Sequence, residues 1–289
     1  MRQMGHGQTS RSKSGVFILY KSGQSRMFII EILGSIKSRW RESINMDSTR
    51  KTALAAGVLY LLSFVSIPTL ILYKAVRGAG YIVGAGPDTR VFIGGVLEII
   101  VALAGIGTAV ALYPVVKRQN EGVALGFVGA RTLEAATIVA GVVSLLSVVA
   151  LRRAGAGAGA LATGQALVGL HDWTFTLGQS LIPAVNALLL GSLLYKSRLV
   201  PRVLPLLGFI GAPLLIASTV ATVFDINHYG SAASGLLAIP IALWEFSLGV
   251  YLVVKGFRTP ALQKLGFEPV VPDVPASTTA PKKEFRQAA

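Results

Sequence analysis

The sequence predicts an all-α fold: a polytopic integral membrane protein built as a bundle of six transmembrane helices. Three observations carry this. Of the 289 residues, 53% are hydrophobic and only 14% are charged. The mean hydropathy is +0.63. Apolar runs longer than about 18 residues, the length that reads as a membrane-crossing helix, recur along the chain. Backbone N–H and C=O groups find no water in a bilayer, so only helices and closed barrels can cross it. The short alternating segments of a barrel do not appear in the sequence.

The spans read in order as 52–73, 91–116, 122–151, 174–195, 203–224 and 232–254. Pro68 falls late in the first, Pro183 in the fourth, Pro205 and Pro213 in the fifth, and Pro240 in the sixth. Between the third and fourth, residues 152–173 open with AGAGAGA, a flexible-linker composition. On this division the membrane domain covers 46–257. The segment 258–289, with prolines at 260, 269, 272, 275 and 281, reads as a disordered tail.

Residues 1–45 differ in composition and admit two readings. Ile29, Ile32, Leu33, Ile36 and Trp40 give 26–42 the spacing of an amphipathic basic helix that could lie on an anionic membrane surface. Alternatively the segment precedes a true start at Met46.

The formal charge is +14, from 27 Lys and Arg against 13 Asp and Glu. Such a balance often signals nucleic acid, but here the cations sit in the tails and between spans, where topology accounts for them, and no nucleic-acid partner is implied. Arg50, Lys51, Lys117, Arg118, Lys196, Arg198, Arg202, Lys255 and Arg258 share one side, against Lys74, Arg77, Arg90, Arg152 and Arg153 on the other. By the positive-inside rule both termini are expected in the cytoplasm and the chain in the plasma membrane, with the lipid bilayer as its first partner. There is no cysteine, hence no disulfide framework and no thiolate site.

The stretch 122–135, GVALGFVGARTLEA, is the chemical anomaly. Arg131 and Glu134 lie within a span and share a helix face, and an ionisable group at bilayer depth costs roughly 2.5–3.5 kcal/mol. Glu98 and Glu245 are two further intramembrane carboxylates. With Arg131 the only clear basic partner, the four residues define an expected polar cluster in which one guanidinium faces three acids. It suits transport or sensing of a proton or small solute, leaving room for a small-molecule ligand; a purely structural role, as a local ion pair with protonated acids bonded to neighbouring helices, stands beside it.

Gln179 and Asn186, in the fourth span, are candidates to line a cavity. Asp172 and Trp173 are candidates for its mouth, against the alternatives of Asp172 as N-cap of the fourth helix and Trp173 as an interfacial anchor. Gly122, Gly126 and Ala130, like Gly208 and Ala212, follow the small-xxx-small spacing of closely packed membrane helices. No HExxH, nucleotide-binding loop or catalytic constellation is present, so neither metal nor cofactor is implied and an enzyme is the weakest reading. A non-transporting membrane scaffold is the main alternative to a transporter or sensor.

The blocks VFIGGVLEIIVALAGIGTAVALYPVVKRQNEGVALGFVGARTLEA, HDWTF and IPIALWEFSLGVYLVVKGF carry a resemblance over about 48–257. The chain resembles a bacterial membrane family known as domain of unknown function 4386. The resemblance implies a compact six-helix membrane domain and no particular activity. In that pattern the matched polar positions are Glu98, Arg131, Glu134, Asp172 and Glu245, and a start near Met46 is favoured.

Overall fold

The structure, a computed structural model, describes residues 48–267 except 79 and 229. Both readings of 1–45, and the tail beyond 267, lie outside the described residues.

Among the described residues six helical segments are long and apolar enough to cross a membrane: Ser48–Leu72, Asp88–Val116, Glu121–Arg153, Gly157–Ser197, Val203–Val223 and Ala232–Val254. The protein is therefore an all-α, multi-pass membrane protein. The first span is α1 (Ser48–Leu62), a 3-10 turn (Ser63–Ser66) and the short α2 (Thr69–Leu72). The second is α3 (Asp88–Val116) and the third α4 (Glu121–Arg153). The fourth comprises α5 (Leu161–Phe175), a π-helical turn (Thr176–Leu181) and α6 (Ile182–Ser197). The fifth and sixth are α7 (Val203–Val223) and α8 (Ala232–Val254), followed by a short α9 (Thr259–Lys264).

Local signals set several ends. Asn120 caps α4 by accepting from the Val123 amide at 2.9 Å, and Ser231 caps α8 by accepting from Ser234 at 3.1 Å. Gly256 follows α8 at φ 71°, a left-handed conformation that glycine adopts without strain, and its N–H returns to the carbonyls of Tyr251 and Leu252.

The spans pack in sequence order and the sixth returns to the first, closing a ring. Arg50 fastens the closure, donating from Nη1 to the Leu252 carbonyl at 2.8 Å and from Nη2 to the Val253 carbonyl at 2.6 Å. A cation is thus placed on the last carbonyls of α8, at the negative end of the helix dipole. Close approach is possible there because Gly57 faces Gly249: a Cβ at Gly57 would lie 2.8 Å from the Gly249 carbonyl oxygen. Leu103, Leu133 and Val143 project outward, as lipid-facing positions should.

Inside the ring, the half nearest Ser48 and Val254, here the terminal face, is solidly filled. Tyr60, Phe127, Leu190, Trp244 and Leu248 form its centre, each at most 2% exposed. The other half is looser and contains the cavity.

Three expectations need correction. The segment 161–173 is a helix packed on α4, not a linker, so the fourth span begins well before Thr174. The AGAGAGA run forms only a short turn, with Gly155 and Gly157 at positive φ, before Ala160 joins a buried apolar cluster. The segment from Arg258 to 267 is folded: the Arg258 amide donates to the Leu199 carbonyl at 2.9 Å, and Ala261 and Leu262 of α9 are buried. Finally, Gly122 and Gly126 do not mediate a close helix contact; a Cβ at Gly126 would sit at an ordinary 3.7 Å from Leu189. Gly208 does approach Trp244 closely, at 3.1 Å from the position of an added Cβ, and Ala212 is fully buried beside it.

A charged floor beneath a membrane cavity

Arg131 lies on α4 and Glu245 on α8, each about 15 Å by helical rise from the terminal-face end of its helix. That is half of a hydrocarbon thickness of about 30 Å. The guanidinium bridges two acids. Nη1 donates to Glu134 Oε2 at 3.0 Å, one helical turn along α4, and Nη2 donates to Glu245 Oε1 at 2.6 Å. Asn186 on α6 completes the arrangement by donating from Nδ2 to Glu134 Oε2 at 2.7 Å. Below, Arg131 stands over the rings of Tyr60 at 5.3 Å and Phe127 at 5.9 Å, so the cation also meets two π faces. Its aliphatic stem passes α3 at Gly105, where an added Cβ would come within 3.9 Å of Cδ.

Above this triad is a cavity of about 490 Å³, within the range of small-molecule sites. Arg131, Glu134 and Glu245 form its floor, and it rises to Gly230 and Ser231 on the face opposite Ser48 and Val254. Glu245 is the most open of the three, with 16% of its side chain exposed against 9% for Glu134 and 5% for Arg131. The walls alternate apolar carbon with hydroxyl and amide groups, among them Ser66, Gln179, Ser180 and Thr219.

Two spans lose regular α-helix beside it. The first breaks into a 3-10 turn before Pro68, and its freed carbonyls are taken by its own hydroxyls: Ser63 Oγ donates to Tyr60 O at 2.6 Å and Thr69 Oγ1 to Ser66 O at 2.7 Å. The fourth widens into the π turn just before Pro183, which lacks an N–H to continue the ladder, and the turn presents Thr176, Gln179 and Ser180 to the cavity. Gly178 is required on its back, where any side chain would collide with Thr137.

Of the four residues expected in one cluster, the structure brings Arg131, Glu134 and Glu245 together and sets Glu98 apart. Glu98 is 2% exposed and faces His171 instead, with Oε1 3.8 Å from Nε2. Gln179 lines the cavity, whereas Asn186 lies beneath it. Asp172 and Trp173 are not among the residues lining the cavity, and Asp172 is mid-helix rather than an N-cap; it pairs with Arg77 at 2.9 Å, while Trp173 is 48% exposed on the outside of the bundle. His171, which the sequence places beside Asp172 as a further candidate for the cavity mouth ahead of the fourth span, is buried in α5 and does not line the cavity. The missed signal was the helical period of Leu161, Gly164, Val168 and His171 behind the glycines. Gathered groups of three His, Asp or Glu that could hold a metal are absent among the described residues.

A second charged group closes the far end of α4. Asp88 accepts from Arg152 and, at 2.8 Å, from Arg153, and Tyr81 donates to its Oδ1 at 2.6 Å. Arg77, Arg152 and Arg153 therefore direct their charge to Asp172 and Asp88, which accounts for three of the five cations on the side opposed by the loop-charge bias.

Fold and site together define a multi-pass membrane protein with a largely apolar cavity above a buried ion-pair triad. The profile of the family described as Domain of unknown function (DUF4386) matches residues 55–256, and the chain belongs to that family. No curated protein matches it, nor does any solved structure.

Proposed function

We propose that the chain binds a small solute in this cavity and acts as its transporter or sensor, with the site facing away from the cytoplasm in the plasma membrane. The observation that carries the reading is the cavity of about 490 Å³ floored by Arg131, Glu134 and Glu245. A dry structural pair would need no such space. Broken helices next to a midplane cavity favour a transport site, since non-helical backbone at membrane depth is tolerated where it lines one. Two carboxylates against one guanidinium give the floor one net negative charge when both acids are ionised, so it favours a solute with a cationic or proton-donating group resting on Glu245. Lys51, Lys117, Lys196 and Lys255 on the terminal face favour cytoplasmic termini.

The scaffold reading makes no use of the cavity. The two are separated by reconstituting the full chain in liposomes and measuring uptake of small organic amines, choline and tetraethylammonium among them, by wild type, Glu245→Gln and Glu134→Gln. Uptake or saturable binding lost in Glu245→Gln supports the solute site. Wild-type liposomes indistinguishable from empty ones, in both uptake and binding, favour the scaffold.

A further inference from the structure

The buried His171–Glu98 pair is used neither by the cavity floor nor by the packing of the terminal half. His171 is 2% exposed, and its ring packs edge-on to Tyr73 at 5.3 Å. Tyr73, Arg77, Glu98 and Asp172 are the charged or titratable side chains around it; on the α4 side its neighbour is Gly141. Nδ1 stands between a donor and an acceptor, with Arg77 Nη2 at 3.4 Å and Asp172 Oδ1 at 3.3 Å. A bare Nδ1 can accept from Arg77 and a protonated one can donate to Asp172, so both protonation states find a partner on that side. On the other side Nε2 faces Glu98 Oε1 at 3.8 Å, just beyond hydrogen-bond reach. Glu98 Oε2 is buried and has no hydrogen-bond partner among the described residues. A wholly buried carboxylate oxygen left so is costly unless something else visits it.

The pair also borders the cavity. The ring of Phe175, a cavity-lining residue, lies 6.5 Å from that of His171 at 30° to it. Thr176, the first residue of the π turn, donates from Oγ1 to the Asp172 carbonyl at 2.8 Å. On α3, Val101 lines the cavity one turn from Glu98.

From this geometry we infer that Glu98 and His171 form a proton-binding site, reached from the outer face past Asp172 and Arg77, whose occupancy is coupled to the solute cavity through Phe175 and the π turn. A proton taken up at Nδ1 leaves the imidazole cationic. When the two side chains close the remaining gap to hydrogen-bond distance, transfer of the proton from Nε2 to Glu98 returns the ring to neutral and neutralises the carboxylate, so one proton moves and no other species is consumed. Each transfer changes what Asp172 and Arg77 must hold, and Asp172 is tied to the turn that carries Gln179 and Ser180. The inference rests on the solute-site reading, and the following experiment distinguishes their failures.

Because the chain has no cysteine, Ser180→Cys places a single thiol on the cavity wall. The probe is a small trimethylammonium methanethiosulfonate, applied to the full chain in detergent between about pH 5 and pH 8, the range in which histidine switches. The labelling rate, divided by the thiolate fraction, is expected to change about fivefold or more across that range. His171→Gln should flatten the profile, and Glu98→Gln should shift it. Asp172→Asn, at a half-exposed pair, should shift it also and serves if His171→Gln does not fold. The same corrected profile in all variants overturns the coupling while leaving the solute cavity standing. A thiol unlabelled at every pH overturns both.

Discussion

Arg131 Nη2 and Glu245 Oε1 meet at 2.6 Å across 114 residues of chain, and this one bond joins the third span to the sixth at mid-membrane. The guanidinium holds Glu134 with its other nitrogen, so one cation serves two acids in an apolar interior. Removing it leaves two buried carboxylates without their cation, which costs about 3–5 kcal/mol for a buried pair. Arg131→Gln is expected to lower the thermal unfolding midpoint in detergent more than Glu245→Gln, whose side chain already borders the cavity. The double variant Arg131→Gln with Glu245→Gln should recover part of the loss. If instead the two single losses simply add, the bridge carries no coupling energy.

This triad also marks what the sequence could and could not disclose. Arg131 and Glu134 were legible together because a three-residue spacing fixes them on one helix face. That Glu245 joins them and Glu98 does not depends on which spans adjoin and at what height, and apolar periodicity alone carries no such register. The six spans themselves were legible, since hydrocarbon thickness sets their length. The fourth was misjudged at its start because Gly-Ala repeats hide a helix whose stability comes from packing on α4 rather than from propensity. The same concealed helix carries His171, which is why the second ionisable site did not emerge from the residues alone.

Small residues give a prediction that runs against their spacing. Gly57 belongs to no small-xxx-small stripe singled out in the sequence, yet a Cβ there would meet the Gly249 carbonyl and the Val253 amide at 2.8 Å. Backbone cannot yield as a side-chain tip can, so Gly57→Ala should destabilise by about 1–3 kcal/mol. Gly126→Ala, facing a flexible leucine at 3.7 Å, should be neutral or stabilise by up to about 1 kcal/mol through helix propensity. Thermal midpoints of the two variants, compared in one detergent, check the order; a Gly126→Ala protein that is the less stable one would show that the stripe packs after all.

Tyr81, in the connection between the first two spans, gives a pH prediction. Burial, and then the hydrogen bond it donates to Asp88, push its hydroxyl up to about 12. The unfolded value is near 10. A folded pKa above the unfolded one stabilises the neutral form, so this contribution is fully present below about pH 10 and is lost as pH rises through about 12. Tyrosinate absorbance of Tyr81→Phe should therefore lose one tyrosine from the late-titrating part of the wild-type curve, and the variant should unfold with a shallower alkaline dependence. Loss of an ordinarily titrating tyrosine instead would mean that the hydroxyl is not held by Asp88.

The carboxyl-terminal helix α9 should depend on a residue far from it in sequence. Arg118, in the turn between the second and third spans, donates from Nη1 to the carbonyls of Leu265 at 3.2 Å and Gly266 at 2.7 Å. Its guanidinium also covers the Phe267 ring at 3.8 Å from the centroid. These bonds satisfy carbonyls just past the end of α9, a helix of six residues that is too short to persist alone. Exposed charge-assisted bonds and a cation–π contact of this kind contribute about 1 kcal/mol together after screening by solvent. Arg118→Ala is thus expected to raise amide exchange across 259–265 several-fold while leaving exchange in α8 unchanged. Equal protection in both proteins would assign the docking of α9 to the burial of Ala261 and Leu262 and to the Arg258–Leu199 backbone bond alone, with Arg118 a bystander on its surface.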